Sequence, residues 1–257
     1  MYFQINGFTL YYEKYGNGEK NIVILPGWGE TRKTFYHMIA FLSQTYTVYI
    51  VDYPGFGNSP FPNHDLTIYD YTNLILDFLN ENSIVLPIII GHSFGGRIAI
   101  TLNGYFHHKI DKLILIGSAG IKPKKTLYQK LRQMTYKFLK RIKYLLPKKH
   151  RKKYLESLLH LFGSSDYQQL NINQRKTFIQ IINEDLTPYL KDILVETLLI
   201  WGENDQDTPL KDGQKMAKEI PDAGLVVFKG RGHFCYLEEP ALTNLIIRQF
   251  LDEEKNM

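Results

Sequence analysis

One serine of the chain stands in a setting that is suited to chemistry. Ser93 lies in the stretch GHSFG at 91–95, after an apolar run and before a segment of helical character. A serine between two spaced glycines can be a simple turn. When the pattern follows a buried strand and opens a helix, however, it is typical of a nucleophile elbow, in which a sharp backbone turn exposes the hydroxyl. Ser93 is therefore the candidate nucleophile.

A serine hydroxyl is a weak nucleophile unless a base accepts its proton. Histidine usually serves as that base, because its pKa lies near neutral pH. His233 follows the last predicted strand and precedes the last predicted helix, at the sheet edge where α/β proteins place their sites. We predict His233 as the base and interpret His92, beside the serine, as packing support.

A carboxylate normally orients such a histidine and stabilises its charged form. The stretch TLLIWGENDQDTP at 197–209 offers Glu203, Asp205 and Asp207 directly after a predicted strand. Their position after that strand leaves all three acids open as the third member of a triad.

Negative charge that develops on a substrate carbonyl oxygen needs N–H donors, which form an oxyanion hole. The backbone N–H of Phe94, directly after the nucleophile, is one candidate. The loop LPGWGET at 25–31 follows the third predicted strand, and the second donor of elbow-type sites comes from such a loop. We predict the backbone N–H of Trp28 as this donor, with its side chain lining the pocket.

The elements that must position these residues are short apolar runs that alternate with helical patterns. Apolar runs without polar alternation fit strands buried on both faces, hence a parallel sheet covered by helices. The runs are 21–25, 47–51, 87–90, 112–116, 197–201 and 224–228, and the helical patterns are 31–44, 67–82, 93–105, 210–219 and 239–255. An Asn6-Gly7 turn joins two aromatic-rich strands at the start. The order predicts an α/β fold with a doubly wound, mostly parallel sheet flanked by helices.

The alternation stops between residues 121 and 190, where the pattern predicts helices without strands. We predict a helical lid there, inserted into a core formed by residues 1–120 and 191–257. An apolar stripe at helical spacing marks its first helix: Leu127, Leu131, Met134, Phe138, Ile142 and Leu145. Because an exposed apolar stripe of this length would favour association, we expect it to be buried over the mouth of the pocket.

One part of the lid is strongly basic. Residues 122–153 contain 14 Lys or Arg and no Asp or Glu, whereas the rest of the chain has 17 basic and 26 acidic residues. Three interpretations stay open: a solvated face, a docking site for an anionic substrate or an acidic carrier protein, and a helix on an anionic membrane surface. No nucleic-acid-binding module accompanies the charge, so we expect no nucleic acid partner.

Other features narrow the class of protein. The single cysteine, Cys235, excludes an internal disulfide framework. Neither a signal peptide nor an apolar run long enough to cross a membrane is visible, and we expect a cytoplasmic protein without a transmembrane segment. The sequence has no Cys/His cluster with metal-ligand spacing and no phosphate-binding glycine loop, so we expect no metal and no cofactor.

Five motifs together resemble the α/β-hydrolase fold superfamily over nearly the whole chain. They are LPGWG at 25–29, DYPGFGNS at 52–59, GHSFGG at 91–96, WGENDQDTP at 201–209 and GRGHFCYLEEP at 230–240. The resemblance implies a Ser–Asp–His triad in that chain order. Its Gly-x-x-Asp-x-x-x-Pro pattern selects Asp205, with Asp207 as the alternative. Pro26-Gly27 departs from the His-Gly that relatives usually carry in the oxyanion loop.

The resemblance implies a serine hydrolase that cleaves a small carboxylic ester or thioester through an acyl-enzyme on Ser93. Carbon–carbon bond hydrolases use the same triad. So does a lyase of menaquinone synthesis, and GHSFGGRIAI at 91–100 is similar to its elbow. By that likeness Arg97 is a substrate-binding candidate, although it can equally brace nearby loops through their carbonyls. A non-catalytic small-molecule receptor of the same fold is a further alternative.

Overall fold

The computed structural model describes residues 1–62, 64–122, 127–162 and 172–252. The chain divides into two compact units. The first contains Met1–Ile121 together with Glu184–Met257, and the second contains Lys122–Asn183. The second unit falls inside the helical insertion that the sequence places at 121–190.

The first unit is built on a sheet that has eight strands within the described residues, in the order β1-β2-β4-β3-β5-β6-β7-β8. The strands are β1 (Tyr2–Ile5), β2 (Phe8–Tyr15), β3 (Asn21–Leu25), β4 (Thr47–Asp52), β5 (Ile88–His92), β6 (Leu113–Ile116), β7 (Thr197–Gly202) and β8 (Ala223–Phe228). The pairs β1–β2 and β2–β4 are antiparallel, and the pairs from β4 through β3 to β8 are parallel. This is the mostly parallel sheet that the sequence predicts.

Burial explains the continuous apolar sequence of the central strands. Every residue of β4, β5 and β6 is buried, as expected for strands that have neighbours on both sides and helices on both faces. The expectation fails for β8, because this outer strand contains exposed residues such as Val227. At the other end, Asn6 and Gly7 have φ of 50° and 82°, which fits the predicted type I′ turn.

The helices agree closely with the predicted segments. They are α1 (Tyr36–Leu42), α2 (Ile68–Glu81), α3 (Phe94–Ile100), α4 (Leu127–Ile142), α5 (Lys148–Phe162), α6 (Ile172–Asn183), α7 (Leu210–Glu219), α8 (Cys235–Glu238) and α9 (Pro240–Asp252). Thr67 and Asp70 form a capping box that starts α2. A π-helical turn, Thr101–Tyr105, continues α3. The predicted end of the last helix, at 255, lies outside the described residues.

The second unit consists of α4, α5 and α6 with a 3-10 turn at Lys143–Leu145. The Tyr154 hydroxyl of α5 donates to the carbonyl of Leu139 in α4 at 2.9 Å. Arg151 Nε donates to the Leu146 carbonyl between the two helices at 3.0 Å. These bonds hold α4 and α5 as a helical hairpin.

The apolar stripe of α4 corrects one expectation. Leu131, Met134 and Phe138 are between 61% and 67% exposed, whereas we expect a buried stripe from the sequence. Within the hairpin, the Tyr154 hydroxyl of α5 contacts α4 at the carbonyl of Leu139. The side chains of Leu127 and Leu145 lie outside the described residues. Among the helices that the structure describes, none has the length and apolar character needed to cross a bilayer.

Candidate active site

The backbone at Ser93 makes a sharp corner between β5 and α3. Ser93 has φ of 49° and ψ of −109°, a conformation that costs energy for any residue with a side chain and is concentrated at functional sites. A Cβ at Gly95 would collide with the carbonyl of Leu25 at the end of β3. The corner therefore requires glycine beside it, and Ser93 itself is partly exposed.

Asp205 and His233 meet at the carboxyl edge of the sheet. His233 Nδ1 lies 2.8 Å from Asp205 Oδ2, with Asp205 on the loop after β7 and His233 on the loop after β8. The Asp205 side chain is fully buried, and that of His233 is 10% exposed. This geometry allows Asp205 to fix the tautomer in which Nε2 of His233 is the basic nitrogen.

The environment shifts the pKa values of Asp205 and His233 in opposite directions. Burial favours the neutral form of Asp205, but the hydrogen bond and the charge of His233 outweigh it and hold the pKa of Asp205 below its ordinary value. Burial also disfavours the charged form of His233. The hydrogen bond and the negative charge of Asp205 outweigh that effect and raise the pKa of His233 above its ordinary value.

Thr208 is a part of the site that sequence reasoning missed. Its backbone N–H donates to Asp205 Oδ1 at 2.8 Å, and its hydroxyl lies 2.8 Å from Asp205 Oδ2 and 2.9 Å from the Gly117 carbonyl. The backbone N–H of Asp207 donates to the same Oδ1 at 2.9 Å. An aspartate that bonds the backbone two and three residues on is a recognisable turn signal, and the D-x-D-T spacing contains it.

The structure thus separates the two candidate acids. Asp205 carries the hydrogen bond with His233, whereas the Asp207 side chain is exposed and the hydrogen bond of Asp207 to the pair comes from its backbone N–H. Glu203 is also exposed, and its carboxylate accepts a bond from the Gly230 N–H at 2.9 Å.

Strand pairing brings Ser93 to the sheet edge at which the acid–base pair lies. The Ser93 N–H donates to the Ile116 carbonyl at the end of β6 at 3.1 Å. The next residue, Gly117, is so close to the pair that a Cβ there would lie 3.3 Å from both Asp205 Oδ2 and His233 Nδ1. Its φ of +47° also favours glycine. The ends of β5, β6 and β7 therefore gather Ser93, Gly117 and Asp205 along one edge.

The two predicted oxyanion residues are neighbours. The rings of Trp28 and Phe94 are in edge contact with centroids 5.2 Å apart. Trp28 lies in a tight turn in which the Glu30 N–H donates to the Gly27 carbonyl at 3.2 Å. Phe94 is the first residue of α3, where backbone N–H groups have no partner within the helix. The oxyanion loop and the start of α3 are therefore in contact through these two rings.

Arg97 is buried on α3 and reaches a backbone carbonyl. Its Nη1 donates to the Glu184 carbonyl at 2.9 Å, which is the bracing contact that the sequence allows as the alternative to substrate binding. Burial lowers the pKa of Arg97 to about 10, so the side chain keeps its charge at neutral pH. A substrate-binding role for Arg97 stays a prediction.

Metal-ligating side chains come together at one place among the described residues. Asp205, Asp207 and His233 offer ligand atoms within 4.8 Å of one another. Both oxygens of Asp205 already accept hydrogen bonds from protein groups, and His233 Nδ1 is occupied by Asp205. Asp205 and His233 are thus arranged as a hydrogen-bonded acid–base pair.

Comparison with known proteins identifies the family. A family model described as the α/β hydrolase fold matches residues 20–240. Because this match spans most of the chain, the protein belongs to the α/β hydrolase fold family.

Three relatives are similar over almost their whole length. The chain is 26% identical over 265 residues to the uncharacterized hydrolase YugF of Bacillus subtilis, which covers 97% of this chain and 96% of that protein. It is 25% identical over 280 residues to a 2-hydroxy-6-oxo-6-phenylhexa-2,4-dienoate hydrolase of Comamonas testosteroni, with coverage of 96% and 92%. It is 25% identical over 265 residues to a pimeloyl-[acyl-carrier protein] methyl ester esterase of Pectobacterium atrosepticum, with coverage of 93% and 97%. Two of these relatives are named as hydrolases and the third as an esterase.

Proposed function

We propose that this protein is a serine hydrolase that cleaves a small carboxylic ester or thioester through an acyl-enzyme on Ser93. The observation that carries the proposal is the buried His233–Asp205 pair, 2.8 Å apart, at the same sheet edge as the strained corner of Ser93. A nucleophile next to a base that a third group orients is the arrangement that activates a serine hydroxyl.

In the first half of the reaction, the Ser93 oxygen attacks the substrate carbonyl and His233 Nε2 takes the hydroxyl proton. The backbone N–H groups of Trp28 and Phe94 stabilise the negative oxygen of the tetrahedral intermediate. The bond to the leaving alcohol or thiol then breaks, and His233 returns the proton to that group. Asp205 stabilises the imidazolium throughout and remains ionised.

In the second half, water attacks the acyl-enzyme and His233 accepts one of its protons. Collapse of the second tetrahedral intermediate breaks the bond to Ser93 and releases the carboxylic acid. His233 gives the proton back to the Ser93 oxygen, which restores the starting state.

Ester hydrolysis by matched serine variants tests this proposal. We expect Ser93→Ala to lower the turnover of p-nitrophenyl acetate and butyrate by about 10³-fold or more. Ser118→Ala is the control, because Ser118 lies on the loop after β6 and its hydroxyl donates to the Ala119 carbonyl at 2.9 Å. It should retain most of the activity. Equal turnover by the wild type and Ser93→Ala would overturn the assignment.

A carbon–carbon bond hydrolase is the second candidate, and the similarity to the dienoate hydrolase of Comamonas testosteroni favours it. It predicts weak ester turnover and rapid cleavage of a vinylogous diketone, with both activities lost in Ser93→Ala. The lyase alternative requires Arg97 at the substrate. If Arg97→Ala leaves the turnover of acidic substrates unchanged, that alternative loses its support.

A receptor that binds without reacting is distinguished by a fluorophosphonate probe. Covalent labelling of the protein at a rate that depends on Ser93 supports an enzyme. Reversible, stoichiometric binding without labelling would support the receptor.

A further inference from the structure

We propose that Glu30 and His92 form a positioning link that ties the oxyanion loop to the loop of His233, a role that rests on the function proposed above. Neither residue is a member of the triad or a proposed oxyanion donor. They are positioning residues, because they act on the backbone segments that hold Trp28 and His233. From the sequence we interpret His92 as packing support, but its contacts in the structure go beyond packing.

Glu30, the last residue of the oxyanion turn, makes two hydrogen bonds to the first residue, Gly27. Its backbone N–H donates to the Gly27 carbonyl at 3.2 Å, and the Gly27 N–H donates to its carboxylate Oε2 at 2.7 Å. Gly29, the third residue of this turn, has φ of +76°, which a type II turn requires at that position. The proposed donor Trp28 therefore lies inside a turn whose first and last residues, Gly27 and Glu30, are joined by two hydrogen bonds.

His92 extends the contact to the opposite loop. Its Nδ1 lies 3.0 Å from Glu30 Oε2, and its Nε2 lies 3.2 Å from the backbone carbonyl oxygen of His233. The His92 side chain is fully buried and that of Glu30 is 8% exposed. Glu30 Oε2 and the His233 carbonyl oxygen are both hydrogen-bond acceptors. A proton on Nδ1 of His92 therefore points to the oxyanion loop, and a proton on Nε2 points to the loop of His233.

Gly27 leaves room for the contact between Glu30 and His92. A Cβ at Gly27 would lie 2.9 Å from Glu30 Oε2 and 3.0 Å from His92 Nδ1. A side chain there would force the carboxylate and the ring apart. Glycine at this position therefore has a reason beyond the turn itself, which is the close approach of both partners.

The chain of contacts spans the three segments that must cooperate in catalysis. It begins at Gly27 in the oxyanion loop, passes through the residue before Ser93, and ends at the backbone of His233. Hydrogen bonds to an ionised carboxylate are stronger than neutral ones, and burial strengthens them further. Because a misplacement of about 1 Å at a catalytic group can lower the rate about 100-fold, a loose oxyanion turn would be costly for the reaction.

The test compares Glu30 with a carboxylate of the same local geometry elsewhere. Asp70 Oδ2 accepts the Thr67 N–H at 2.7 Å, as Glu30 accepts that of Gly27, but it does so at the start of α2. We expect Glu30→Ala to lower kcat for p-nitrophenyl butyrate and the rate of fluorophosphonate labelling about 10- to 100-fold, with KM changed by less than about threefold. Asp70→Ala should lower Tm and leave kcat within about twofold of the wild type, because its role is to cap a helix.

Glu30→Gln is the milder variant for the case in which Glu30→Ala does not fold. Its amide oxygen still accepts the Gly27 N–H but brings no charge to His92, so its kcat should lie between those of the wild type and Glu30→Ala. A folded Glu30→Ala or Glu30→Gln with wild-type kcat and labelling rate would overturn the link. Equal losses of kcat in Asp70→Ala and Glu30→Ala would also overturn it, because the effect would then follow stability.

The same experiment separates the link from the function on which it rests. Labelling of the wild type and none of Ser93→Ala would uphold the nucleophile whatever the Glu30 variants do. If the wild type is neither labelled nor active on esters, the proposed function fails and the catalytic role of the link fails with it.

Discussion

Thr208 contacts both oxygens of the Asp205 carboxylate. Its backbone N–H donates to Oδ1 at 2.8 Å and its hydroxyl lies 2.8 Å from Oδ2, the oxygen that faces His233. The carboxylate is thereby held in one rotational position. Its orientation is set by the protein and does not depend on His233 alone.

Replacing Thr208 by valine should therefore reduce both activity and stability. The loss of one buried hydroxyl bond costs about 1–3 kcal/mol of the free energy of unfolding, and we expect kcat to fall about 10-fold as Asp205 becomes less well oriented. Thr187→Val is the control, because the exposed Thr187 hydroxyl also donates to an aspartate, Asp185, at 2.7 Å. Urea unfolding and ester kinetics measure the two effects. A Thr208→Val protein with wild-type stability and kcat would contradict this role.

The two aspartates of the loop after β7 should differ sharply in their effect on turnover. Asp205→Asn removes the charge beside His233 and should lower kcat by about 10⁴-fold. Asp207→Asn changes an exposed side chain, and kcat should stay within about threefold of the wild type, as for most surface substitutions. Steady-state kinetics on p-nitrophenyl butyrate measure kcat for the two variants. The reverse order of effects would make Asp207 the orienting acid.

The raised pKa of His233 sets the pH dependence. The imidazole must be neutral to accept the Ser93 proton, so kcat/KM should rise with pH, with a midpoint above the ordinary value of 6.5. The contribution of His233 to the stability of the folded state changes with pH in the opposite direction. Protonated His233 stabilises the folded state at pH values below its unfolded pKa, and this contribution is lost as pH rises through the folded pKa. A profile of kcat/KM between about pH 5 and 9 with a midpoint at or below 6.5 would contradict the assignment.

The basic residues at the end of α4 and the start of the following 3-10 turn should matter for anionic partners and not for small neutral esters. Lys140 and Arg141 are exposed, and Lys143 is partly exposed. Reversing all three to Glu should leave p-nitrophenyl ester turnover within about twofold, since neutral substrates gain nothing from electrostatic steering. Binding to vesicles that contain anionic phospholipid should weaken, and the difference should shrink in salt. Loss of ester turnover in a folded variant would show that these residues act at the active site.

Much of the fold can be predicted from the sequence, because strands buried on both faces must be continuously apolar. Residues 21–25 and 210–219 form their predicted strand and helix at the predicted bounds. Ser93 and His233 can be selected in the same way, since Ser93 directly follows β5 and His233 lies on the loop after β8. Strand position alone leaves Glu203, Asp205 and Asp207 open, and the resemblance to the family pattern selects Asp205. Parallel strands bring such positions to one edge of a sheet.

Contacts between distant segments could not be predicted in this way. Glu30 and His92 are 62 positions apart, and no spacing rule connects a loop carboxylate to a buried histidine. The role of Thr208 depends on the rotamer of Asp205. The exposure of Leu131, Met134 and Phe138 could not be predicted either, because helical periodicity defines an apolar face without naming its partner.

The covalent adduct with a fluorophosphonate probe tests the central claim most directly. The wild-type protein is labelled, digested and analysed by tandem mass spectrometry, with Ser93→Ala treated in parallel. Nucleophilic catalysis by an activated serine predicts one modified peptide, with the probe on Ser93, and no modification of the variant. A label on another residue at an equal rate in both proteins, or an unlabelled wild type that still hydrolyses esters, would contradict the account.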